Sequence, residues 1–200
     1  MQTTQPKSPT SESGFDPIPT RIENVPPLIV DKVDDATKEQ VTSSLRDLSS
    51  NLAQVHRTAA EAYLSQNMYE EALPHAQAAA TFAPAVPEYQ NQLGFIAYVS
   101  GHDEIAIKAF ESVLSMQPSQ PDALFNLGMV WFGQSEFSKA HDCFRRCLEI
   151  QKHDAETWNN LGVCCHQLGQ LDDAQTCFNQ ALQLDPQNED ARINLQAIAR

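Results

Sequence analysis

From Ala53 onward the sequence copies itself every 34 residues, with no insertion or deletion. The blocks run 53–86, 87–120, 121–154 and 155–188, and residues 189–200 form the first twelve places of a fifth. A fixed period of this length constrains the fold more than any composition does. Each block must be one supersecondary unit that cannot bury its apolar face alone, so neighbours stack into a solenoid.

The pattern inside the blocks is that of two packed helices. Ala60, Gly94, Gly128 and Gly162 share the eighth place, and Ala72, Ala106, Ala140 and Ala174 the twentieth. Small residues there let paired helices approach closely. Leu93, Leu127 and Leu161, with Phe110, Phe144 and Phe178, fill the space around that contact. Asn67, Gly101 and Gly169 fall between the helices, where a left-handed backbone is wanted. Ser138 and Asp172 are the expected caps of second helices. Pro84, Pro118 and Pro186 close their blocks, because the residue before a proline avoids helical geometry. Pro74, early in a second helix, predicts at most a small kink.

These residues carry a resemblance. The block AETWNNLGVCCHQLGQLDDAQTCFNQALQLDPQN (155–188) resembles a tetratricopeptide repeat, with Trp158, Leu161, Gly162, Ala174, Phe178 and Pro186 in the pattern's slots and Cys165 in place of its tyrosine. Leu93, Gly94, Ala106, Phe110 and Pro118 match in 87–120. In 121–154 the matches are Leu127, Gly128, Trp131, Ala140 and Phe144, with Lys152 replacing the proline. The first block is weakest, with Ala60, Tyr63, Ala72 and Pro84. The resemblance implies an all-α fold: a right-handed α-solenoid of four tandem helix pairs with a capping helix at 189–200. It also implies that first helices line a concave groove at places 2, 5, 6, 9, 12 and 13.

Upstream the character changes. Six of the chain's 12 prolines fall in the first 27 residues, among Ser and Thr. Such a stretch cannot offset its own ordering entropy, so residues 1–36 are expected to be a disordered arm, broken only by the apolar patch Val25–Val30. Residues 37–52 read as an N-terminal helix. Thr37-Lys38-Glu39-Gln40 has capping-box spacing, and Val41, Leu45, Leu48, Leu52 and Val55 make one apolar face. Ser49-Ser50-Asn51 is a candidate break, with Asn51 capping a new helix.

Charge narrows the partners. A formal net charge of −13 argues against a phosphate-tracking surface, hence no nucleic acid, and against docking on anionic lipid. No apolar run approaches a membrane span, so no direct membrane insertion is expected, and the N-terminus lacks the apolar core of a secretory signal. Five cysteines with two adjacent make a poor disulfide framework and fit reduced thiols in the cytoplasm.

A catalytic set is missing from the sequence pattern: there is no phosphate loop and no nucleophile elbow. No cofactor and no metal are expected. His141, Cys143, Cys147, Cys164, Cys165, His166 and Cys177 carry zinc-binding chemistry, yet most of the thiols fill packing slots, as Cys147 does where other blocks have Ala79, Val113 and Ala181. Glu88, Asp122, Glu156 and Asp190 recur at the second place and read as helix-start acids.

The candidate site is therefore a peptide-binding groove. Gln92, Asn126, Asn160 and Asn194 share the sixth place, and a row of amides offers donors and acceptors to an extended backbone. It is similar to the asparagine ladder in the repeat region of the protein O-linked glycosyltransferases, without the catalytic domain of that family. The alternative is that these amides bond locally. Phe95, Tyr98, Phe125, Met129, Phe132 and Val163 supply an apolar surface, and His166 lies at its end. The alternative for these is packing between repeats, or cover by the arm. With no ring of lysine and arginine, capture of an acidic chaperone tail is not expected, and salt is expected to matter little.

These observations point to a non-enzymatic protein–protein interaction module, an adaptor, scaffold or assembly factor. The alternatives are a chaperone resembling those of type III secretion translocators, or the regulatory repeat part of a larger enzyme. The partner is a protein or peptide. A second copy of the chain is a further candidate, through the N-terminal helix or the exposed C-terminal cap.

Overall fold

The computed structural model describes residues 34–198. The arm expected over 1–36 lies outside the described residues except for Asp34, Asp35 and Ala36, and so does its Val25–Val30 patch. Among the described residues every regular element is helical: α1 (Asp35–Leu64), α2 (Tyr69–Phe82), α3 (Pro87–Val99), α4 (Asp103–Met116), α5 (Pro121–Gly133), α6 (Phe137–Ile150), α7 (Ala155–Gln167), α8 (Leu171–Leu184) and α9 (Glu189–Ile198).

Residues up to Thr42 and residues from Ser43 onward form two units. The described part of the first is Asp34 and the opening turns of α1. Its cap is Asp34, not Thr37: the Thr37 amide donates to Asp34 Oδ1 at 2.8 Å and its hydroxyl to Oδ2 at 2.9 Å. These bonds hold the Asp34 carboxyl below its usual range. The helix therefore starts at Asp35, two residues before its expected start at Thr37.

Within the second unit α1 runs unbroken through Ser49-Ser50-Asn51, so the expected break does not occur. Ser49 is held by donating its hydroxyl to the Phe82 carbonyl at 2.6 Å, which binds this turn to the end of α2. The helices then pack in sequence: α3 on α4, α5 on α6, α7 on α8, with each second helix also meeting the next first helix. Pro87 and Pro121 begin α3 and α5, where a missing N–H costs nothing. Pro74 sits inside α2 without ending it.

The core is one contact repeated. A Cβ built on Gly94 would lie 2.6 Å from Phe110 Cε1, on Gly128 2.6 Å from Phe144 Cε1, and on Gly162 2.6 Å from Phe178 Cε1. The three phenylalanines are fully enclosed. Each ring thus occupies the space that any side chain larger than glycine's would need at the facing helix position. The first pair is built differently. Ala60 takes the glycine's place and Ala76 the phenylalanine's, and both are completely buried.

The turns between helices use the left-handed region as expected at Asn67 (φ 58°), Gly101 (φ 75°) and Gly169 (φ 78°). Ser135 (φ 61°) holds the same place in the third block and was not anticipated. The expected caps are displaced. α6 starts after Glu136 and α8 after Gln170, neither with a side-chain cap bond, so Ser138 and Asp172 sit inside their helices. First helices are capped instead, by Gln120 accepting from the Ala123 amide at 2.6 Å and by Asp154 accepting from the Thr157 amide at 3.3 Å and from its hydroxyl.

Candidate functional site

The faces of α3, α5 and α7 that do not enter the core enclose an open cavity of about 770 Å³. Four of the predicted residues line it: Gln92, Phe95, Phe125 and Asn126. Phe95 keeps 40% of its surface exposed, the most open aromatic of the first helices, while Phe125 lies partly over Phe144, ring centroids 5.8 Å apart. The side-chain oxygens of Asn91 and Gln92 are enclosed without a hydrogen-bond partner. A buried acceptor left unpaired is costly, and a donor arriving from a ligand would satisfy it.

The remaining predicted residues are not gathered there. Val163, His166 and Asn194 line a separate recess of about 220 Å³ between α7 and α9. Asn194 donates to Asn159 Oδ1 at 3.0 Å, and Asn160 donates to the Met129 thioether at 3.5 Å. Two rungs of the amide row are thus spent on local bonds. Met129, Phe132 and Val163 are half-buried against the C-terminal core, and Phe132 meets Phe137 edge-on at 5.6 Å. Tyr98 packs against the N-terminal core. Much of the apolar row therefore supports packing, and Phe95 is its freest member.

The carboxylates change the character of the cavity. Glu88, Asp122, Asp154 and Glu156 all line it, with the amides of Asn91, Gln120 and Gln151. The second-place acids suit their helix starts. Helix pairing also brings acids of three first-helix starts to one cavity, which a linear pattern does not display. Asn91, Gln120, Gln151 and Asp154 were absent from the sequence reading. Their only signal is periodic: Gln120 and Asp154 share the last place of successive blocks. Four carboxylates give the cavity a negative field that salt screens, which runs against the expectation of weak salt dependence.

The thiols show no sign of reactivity. All five are free and buried. Burial pushes Cys143 up to about 11 and Cys164 and Cys177 up to about 12, and raises Cys147 and Cys165 as well. They are protonated near neutral pH, and thiols are poor nucleophiles. Among the described residues no three His, Cys, Asp or Glu side chains are grouped to hold a metal ion, and no helix is long and apolar enough to cross a membrane.

Two family models described as tetratricopeptide repeat match residues 121–154 and 155–188. The chain is a tetratricopeptide repeat protein. No curated protein matches its sequence. Among solved structures, this repeat protein is similar to MamA (41-end) from Desulfovibrio magneticus RS-1, with a TM-score of 0.71 and 22% identity over 74% of this chain and 83% of that one. YrrB, described as a TPR protein with an unusual peptide-binding site, gives 0.66 and 22% over 80% of each. The first TPR of Spaghetti (RPAP3), solved with the HSP90 peptide SRMEEVD, gives 0.55 and 18% over 56% of this chain and 90% of that one. At these identities the likeness shows the fold.

Proposed function

We propose that the protein is a non-enzymatic binding module, an adaptor, scaffold or assembly factor, that takes an extended peptide segment across α3, α5 and α7. The observation that carries this is the cavity: an exposed Phe95 beside unpaired amide oxygens, within a rim of four carboxylates. Its chemistry asks for a ligand rich in donors and positive charge. An apolar side chain would cover Phe95 and Phe125, backbone N–H groups would meet Asn91 and Gln92, and a lysine or arginine would sit among Glu88, Asp122, Asp154 and Glu156. A ligand like SRMEEVD would bring its own acids against those carboxylates and be repelled.

The test uses labelled peptides of alternating leucine and lysine, the same peptides with glutamate for lysine, and SRMEEVD. The lysine peptide should bind alone, and should weaken with added salt and in Asp122→Asn and Glu156→Gln. Equal or tighter binding of either acidic peptide would refute the reading, as would a lysine complex indifferent to both substitutions.

A further inference from the structure

The exposed side of α1 carries an apolar strip, remote in sequence from the groove helices. Within the unit that starts at Ser43, Leu45, Leu48, Leu52 and Val55 are 61%, 56%, 36% and 65% exposed, the longest series of open large apolar side chains on one helix. Their spacings of 3, 4 and 3 follow a seven-residue repeat, the seam of a helix that pairs with another helix. The side of α1 that meets its own domain is different. It is marked by the buried Ala53 and Ala60, by Ser49 bonded to Phe82, and by His56 with its Nδ1 2.9 Å from that of His75.

We propose that this seam pairs with the same seam of a second copy of the chain. The flanking residues argue for a copy rather than a different helix. Ser49 and His56 flank the seam on the side of α2, and Ser44, Asn51 and Thr58 on the other. In paired helices these flanking positions choose partners by charge, and here none carries a lysine, arginine, aspartate or glutamate. A molecule of net charge −13 repels its own copy almost everywhere else. Along this strip it does not. α1 is already ordered by packing on its own domain, so pairing does not have to fix a helix first. Two such seams with their small polar flanks bury on the order of 1,000 Å², the lower bound of a stable interface, so the dimer is a weak one.

Sedimentation of the full chain between roughly 1 and 100 µM tests this, a range that reveals weak self-association. The mean mass should rise toward twice the monomer value. Leu45→Glu with Leu48→Glu should hold it at the monomer value, with unchanged helical signal because both positions are exposed. Asp47→Lys, off the seam, should still dimerise. A wild-type protein that stays monomeric over the range overturns the proposal. So does a dimer that survives the double glutamate variant. If full-length Ile29→Asp dimerises where wild type does not, the chain's own Val25–Val30 patch is the occupant instead.

Discussion

The first helix pair and the three that follow solve the same packing problem with opposite side chains. In pairs two to four a bare glycine backbone receives a phenylalanine ring, Gly94 with Phe110, Gly128 with Phe144, and Gly162 with Phe178. In the first pair, Ala60 and Ala76 take the two places and are both completely buried. One solution places a large ring on one helix against bare backbone, and the other places one methyl on each. The lesson is that two combinations of side chains can close the contact between paired helices, so residue identity can vary where both partners vary together.

The largest effect should come from breaking one side of a glycine–phenylalanine contact. Phe144→Ala should cost about 3–5 kcal/mol in urea unfolding, the range for a buried phenylalanine. Gly128→Ala should cost about 1–3 kcal/mol, because its new methyl has no room beside the ring. The double variant rebuilds the alanine–alanine contact of the first pair. It should cost less than the two singles together, with a coupling of roughly 0.5–3 kcal/mol. Strict additivity would mean that the two pairs do not use interchangeable solutions.

Next in size is Phe95→Ala, which separates the binding face from the packing face of the same helix. Peptide affinity should fall by about 2 kcal/mol, roughly thirty-fold, as for an apolar anchor. Stability should change by less than the cost of a buried phenylalanine, because Phe95 already keeps 40% of its surface open. Equal losses in both would place Phe95 in the core instead.

High pH should tell the ends of the stack apart. The place held by His75 in the first pair holds Cys143 and Cys177 in the third and fourth. Burial lifts these thiols and Cys164 from an ordinary value of 9.0 to about 11–12. Above pH 9 the unfolded chain releases thiol protons that the folded chain retains, so the folded state binds more protons and stability falls as pH rises. The stabilisation is complete below pH 9 and lost between about 9 and 12, at up to ~1.4 kcal/mol per pH unit for each thiol. Hydrogen exchange at pH 10 should open α7 and α8 before α3 and α4. Cys164→Ala should flatten the slope, and an unchanged slope would dismiss the thiols as its source.

The smallest effect concerns the turns. Ser135 adopts the left-handed backbone that Gly101 and Gly169 adopt without strain. Ser135→Gly should stabilise the protein by up to about 1 kcal/mol, visible as a raised melting temperature. Gly101→Ser should do the reverse.

The repeat made most of the fold legible in sequence. A period of 34 with small residues at two places leaves few ways to pack. What escaped was local and three-dimensional. Ser138 and Asp172 have cap chemistry but each is the second residue of its helix, since α6 and α8 start earlier than propensity alone suggests. α1 runs through Ser49-Ser50-Asn51 because Ser49 is tied to the end of α2, a contact 33 residues away. At the site, Phe95 and Gln92 could be read from their places. The acids were legible only in part: Glu88, Asp122 and Glu156 hold the groove's second place but read singly as helix-start acids, and only stacking joins them with Asp154 into one electrostatic rim.

The exchange of alanine–alanine for glycine–phenylalanine also bears on how such an array can change by duplication. A crossover between the first and a later block recombines them without damage when its breakpoint falls between pairs. If it falls in the short turn inside a pair, at Asn67 or Gly101, a helix carrying Ala60 inherits a partner carrying Phe110, or one carrying Gly94 inherits a partner carrying Ala76. The first hybrid is overfilled and the second leaves a void. The unit of heritable shuffling in this array is therefore the pair, and its permissible seams are the turns before Pro87 and Pro121.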